Sequence, residues 1–146
     1  MANENEEKTF IRVLYVEPLK EPVVIEIEDD LRRMQELVGG PIEEFMPYED
    51  DVAIICNEEG KMNGMALNRA IEDDKGFLHD IIAGPFFVAY APIESETFLS
   101  LPEDLEEKYR RKFESPEIFY RGDAGIAVMK LGPQERTGAM EVCEER

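Results

Sequence analysis

The sequence holds no tryptophan, one histidine and two cysteines, and its 16 basic side chains face 34 acidic ones. Each shortage closes off a class of function. A closed zinc site takes four His or Cys ligands, and His79 with Cys56 and Cys143 falls short of that set, so no metal is expected. No cysteine framework points to a disulfide, and reduced thiols are expected: Cys56 ends the apolar run "VAIIC", where it packs as a small hydrophobe, and Cys143 lies in the tail. The shortage of bases argues against direct binding to nucleic acid or an anionic membrane, since both need a basic patch to displace counterions. No apolar run approaches the ~18 residues of a membrane span. The opening "MANENEEKTF" is polar and acidic, the reverse of a signal peptide. The cytoplasm is the expected location.

What is present in excess is negative charge, a net of −18 on 146 residues. Solubility is one use of such a surplus, and imitation of DNA is a sharper one. A 16.8 kDa fold exposes roughly 7,600 Å², about 420 Å² per net charge, whereas B-DNA has about 110 Å² per charge. Evenly spread, the charge is too dilute to imitate a duplex. Clustering would change that: residues 26–74 carry 15 acids against Arg32, Arg33, Lys61 and Arg69, a net of −11. The candidate acidic face is Glu49, Asp50, Asp51, Glu58, Glu59, Glu72, Asp73 and Asp74.

Hydrophobic residues make up 43% of the chain, enough for one globular domain. The spacing predicts a flexible acidic start over 1–9, a single domain over 10–132 and a flexible tail over 133–146. "FIRVLYVEP" alternates as a strand with Ile11, Val13 and Tyr15 on one face, and "VVIEIE" is its hairpin partner. In "DDLRRMQELVGG" an aspartate caps a short helix, Leu31, Met34, Leu37 and Val38 form its apolar stripe, and Gly39 stops it. "PIEEFMPY" and "DDVAIICN" are extended, the second fully buried. Glu58, Glu59 and a left-handed Gly60 are expected to turn the chain back into a partner strand, and Asn63-Gly64 marks a second tight turn. "MALNRAI" reads as a strand or a helical turn. "HDIIAGPFFVAYAP" reads as a central strand bent at Gly84-Pro85. "SLPEDLEEKYRRKF" is a second helix, with Ser100 and Glu103 at capping-box spacing and Leu101, Leu105, Tyr109 and Phe113 along one side. A hairpin around Gly122–Gly125 closes the domain. The fold class is α+β: one domain, a mixed or antiparallel sheet with two helices, opening strand–strand–helix–strand–strand in a β-grasp-like order.

No reaction centre emerges. His79 beside Asp80 is a lone histidine with a neighbouring carboxylate. A Cys56 nucleophile needs a helix N-terminus or a cation to lower its pKa, and an apolar strand supplies neither. The triplets "EDD" at 28–30, 49–51 and 72–74 lack the spacing of a calcium loop and suit caps and turns. No glycine loop cradles phosphate. The remaining polar set is Asn57, Asn63, Asn68 and Arg69, in which Asn68 and Arg69 interrupt an apolar stretch. They are the candidate ligand-binding residues, Arg69 being suited to a carboxylate or phosphate, or else to an internal ion pair.

Taken together, "VEPLKEPVVIEI", "MQELVGGPIEE", "VAIICNEEGKMNGMALNRAI" and "DIIAGPFFVA" resemble an uncharacterised family, domain of unknown function 3846, over roughly residues 11–115. The resemblance implies cargo of conjugative elements and phages, often near anti-restriction genes. It brings no activity, cofactor or catalytic residue. Such proteins usually have glycine in the first loop where this chain has Leu19, which leaves that turn's type open. Two functional expectations follow. The first is a non-enzymatic accessory protein that binds a host protein through an acidic surface, with DNA mimicry as its strongest form. The alternative is a binder of a small, nucleotide-type ligand in a pocket near Arg69. No cofactor is expected for either.

Overall fold

A computed structural model describes residues 8–132. The early part of the chain forms β1 (Phe10–Val16), β2 (Val23–Glu28), α1 (Leu31–Val38), β3 (Ile42–Phe45) and β4 (Val52–Asn57). There follow β5 (Leu67–Glu72), β6 (Leu78–Ala83), β7 (Phe86–Tyr90), α2 (Glu103–Lys112), β8 (Glu117–Gly122) and β9 (Gly125–Lys130). Five strands make one sheet in the order β2-β1-β7-β4-β3, and every neighbouring pair is antiparallel. The pairs β5–β6 and β8–β9 are separate two-stranded sheets. The described residues form a single α+β domain.

Alternation along the central strands explains the layering. Odd-numbered Ile11 and Val13 of β1 point to the face covered by Met34 and Val38 of α1. Leu14 and Val16 point to the other face, where Tyr109 of α2 and Ile71 and Ile82 of β5–β6 pack on them. A sheet covered on both sides needs central strands apolar on both sides, and all six residues of β4 are buried.

Several local expectations are corrected. The segment 79–92 is not one bent strand: Gly84, at φ 87°, passes the chain from β6 into β7, which belongs to a different sheet. The turn after Cys56 leads to β5, whose partner is β6, not β4. Gly60 is not left-handed; its glycine is required because a Cβ there would lie 2.5 Å from the Ala83 carbonyl oxygen. Ser100 does not cap α2, whose N-cap is Pro102; its Oγ accepts from the Arg12 amide at 2.8 Å, satisfying a donor of β1. Gly39 and Gly64 do adopt positive φ, at 86° and 74°. The "MALNRAI" stretch resolves as strand. Cys143 and the tail lie outside the described residues.

Candidate functional site

The eight residues of α1 span about 12 Å, less than the ~19 Å across five strands. The α1 face of the sheet is therefore left partly open beside the start of the helix. There the segment 91–98 stands opposite α1 and β3, and a groove of about 440 Å³ runs between them. Met34, Ile42 and Phe98 contribute apolar surface. Leu31, placed by spacing in the helix's apolar stripe, is instead 56% exposed in this groove, and Ile93 is 92% exposed. Among the described residues, the charged ones lining it are Asp29, Asp30, Glu44 and Glu96, with no lysine or arginine. Asp30 is committed to capping α1, accepting from the Arg32 amide. Burial, and then the charge of Asp30, hold the Asp29 carboxyl above the usual carboxylate range. The groove is thus apolar at its base and anionic at its edge.

The polar residues singled out by sequence fall in three places. Asn68 and Arg69 are adjacent on β5 and fully buried. Asn68 Nδ2 donates to the Val16 carbonyl at 3.0 Å and the Gly84 carbonyl at 2.9 Å, and its Oδ1 accepts from Arg69 Nη1 at 2.9 Å. Arg69 Nη2 donates to the Phe113 carbonyl at 2.7 Å and the Lys20 carbonyl at 2.8 Å. A guanidinium on the carbonyl of Phe113, the C-cap residue of α2, satisfies an orphan acceptor where the helix dipole favours a cation. Asn57 ties α1 to the end of β4, its Nδ2 donating to the Val38 carbonyl at 3.1 Å and its Oδ1 accepting from the Glu59 amide at 2.7 Å. Asn63 stands exposed in the following turn. These four stand in three separate places, and none of them lines the groove.

The acidic set is likewise divided. Glu49, Asp50 and Asp51 precede β4 while Glu58 and Glu59 follow it, about 20 Å apart along the strand. The Glu49 amide donates to Asp74 at 2.8 Å, so the 72–74 loop joins the first group. Asp50 accepts from the Tyr109 hydroxyl at 2.8 Å and from Lys108 at 2.5 Å, and these bonds hold its carboxyl below the usual range. Asp73 accepts from the amides of Lys75 and Phe77, both at 2.9 Å, and closes its own turn. Exposed Asp51 and Glu72 complete this group. The "EDD" triplets therefore act as caps and turn-formers. Among the described residues no three His, Cys, Asp or Glu side chains are arranged to hold a metal ion.

Neither candidate nucleophile nor base is assembled for catalysis. Burial, and then the charge of Glu43, push the Cys56 thiol up to about 12. His79 Nε2 lies 3.6 Å from Asp73 rather than beside Asp80, whose carboxylate pairs with Lys61. No helix among the described residues is long and apolar enough to cross a membrane.

The geometry defines an antiparallel α+β domain with an acid-edged apolar groove. The family model described as a domain of unknown function (DUF3846) matches residues 11–114, and the chain belongs to that family. No curated protein and no solved structure matches it. The groove was missed in the sequence because its residues come from three separate segments. The available signal was a leucine at the solvent-facing start of α1 facing a loop, "PIESETF", with two large apolar residues.

Proposed function

We propose that the protein is a non-enzymatic binding module whose groove between α1 and the 91–98 segment takes a basic, amphipathic segment of another protein. The observation that carries this reading is the pairing of exposed Leu31 and Ile93 with four carboxylates and no cation along one groove. A peptide helix laid there buries its apolar side and sets its lysines against the acids. Because a cation favours the ionised form of Asp29, affinity rises with pH through that group's raised pKa. In its full form the reading is an accessory protein of a mobile element acting on a host protein in the cytoplasm. Imitation of a DNA duplex is a weaker version. The accessible surface of 9031 Å² shared among 18 net charges leaves about 500 Å² each, and the acids gather at two ends of β4. Arg69, whose Nη2 donates to two main-chain carbonyls and Nη1 to Asn68 Oδ1, favours the protein-binding reading over a nucleotide pocket.

The test uses a labelled synthetic helix of about four turns with leucines on one side and lysines on the other, titrated by fluorescence anisotropy. Binding is expected to weaken between about 0.05 and 0.5 M salt. The pair Glu44→Lys with Glu96→Lys is expected to weaken it about tenfold, roughly 1.4 kcal/mol. Glu58→Lys with Glu59→Lys, an equal change of net charge, leaves it unaltered. Equal losses in both pairs, or no binding at all, would reject the groove.

A further inference from the structure

Leu19 is the one non-glycine residue at positive φ among those described, at 63°. It follows Pro18 in a turn closed by the Lys20 amide on the Glu17 carbonyl, where glycine is the natural occupant. A leucine in that conformation is strained, and such strain persists only where the surroundings impose it or function uses it. Packing by the other described residues does not hold it there, since Leu19 is 62% exposed. Its neighbours are instead apolar surface: Leu67, Ile118 and Phe119 share a shallow depression with it of about 380 Å³.

That surface continues along the β8–β9 hairpin. Ile118 stands opposite Met129, and Tyr120, half exposed, opposite Ala127 on one face. Ile126 and Val128 are exposed on the other. A two-stranded hairpin is marginal in water without a covered face. The outer strand β9 pairs with β8 alone among the described residues, and its sequence "GIAVMK" has no proline and one charge. Such an edge is a template for another strand.

Charge identifies what covers it. Within 117–130 the ionic groups are Glu117, Arg121, Asp123 and Lys130, which cancel, in a chain of net −18. Two copies of this protein repel through most of their surfaces, and locally least here. A two-fold antiparallel pairing of β9 with itself, centred on Ala127, sets Ile126 of each copy opposite Val128 of the other. We infer that the protein pairs with a second copy of itself through the outer edge of β9 and the apolar patch around Leu19. This inference stands apart from the groove, which lies on the α1 face of the sheet.

The experiment is sedimentation equilibrium of the full chain at low and high salt, about 0.05 and 0.5 M. The expected species has twice the mass of 16.8 kDa, and its dissociation constant falls as salt screens the repulsion between copies. Ile126→Lys sets like charges into the pairing and is expected to weaken the dimer at least about tenfold. Leu19→Gly is expected to weaken it while raising the melting temperature of the dissociated chain. A purely local role for Leu19 would change stability and leave association alone. A monomer at every concentration and salt, or a dimer indifferent to both substitutions, overturns the inference.

Discussion

Two buried side chains show how single groups carry unspent free energy. Tyr48 is 7% exposed, and its hydroxyl has no hydrogen-bond partner among the described residues. Its ring lies 5.1 Å from that of Tyr109, with Lys112 Nζ 5.2 Å from its centroid. Burial, with the charges of Asp74 and Glu72, raises its pKa far above the ordinary range, so the hydroxyl is neutral and unpaired. Tyr48→Phe removes the orphan and keeps the ring. It is expected to stabilise the fold by up to about 1 kcal/mol in urea unfolding, whereas a comparable loss would mean the hydroxyl has a partner. Glu117 is buried, accepts from the Ala70 amide at 2.8 Å, and has its pKa raised chiefly by burial. A carboxyl whose folded pKa exceeds its unfolded value contributes stability below the unfolded pKa and loses it as pH rises through the folded one. Glu117→Gln keeps an acceptor and cannot ionise. The stability of the variant relative to the parent is therefore expected to climb from about pH 4.5 toward neutrality. A flat difference across that range would contradict the burial argument.

At the scale of elements, the joints between sheets matter more than the strands. Asn68 and Arg69 tie β5 to the end of β1, to the Gly84 junction and to the last turn of α2. Gly60 seats the 58–64 turn directly on the backbone of Ala83 at the end of β6. Since the opposing atom is a main-chain oxygen that cannot rotate away, Gly60→Ala is expected to cost about 1–3 kcal/mol. Gly64→Ala, with nothing within 4 Å of its Cβ, is strained by its φ of 74° alone. Thermal unfolding of the two variants checks this: the Gly60 variant should melt lower, and equal melting points would place the constraint in the backbone rather than in the contact.

For the whole molecule, net charge sets opposite salt responses for the two proposed contacts. A basic segment in the groove is attracted by the surplus of acids and is lost as salt rises. A second copy on the hairpin carries the same surplus and is gained as salt rises. Measuring both on one preparation separates them, because no single change in folding moves the two affinities in opposite directions.

The linear pattern by itself determined the opening order of elements, the burial of β4 on both faces and the helix stop at Gly39. All of these follow from periodicity, turn chemistry and composition within a few residues. The tertiary structure alone decided that 79–92 splits between two sheets and that Ser100 serves β1. It also decided that the acids divide between two ends of a strand and that Leu31 faces Ile93 across a groove. Each of those depends on segments distant in the chain meeting in space, and no local spacing encodes which of several apolar stretches will be neighbours.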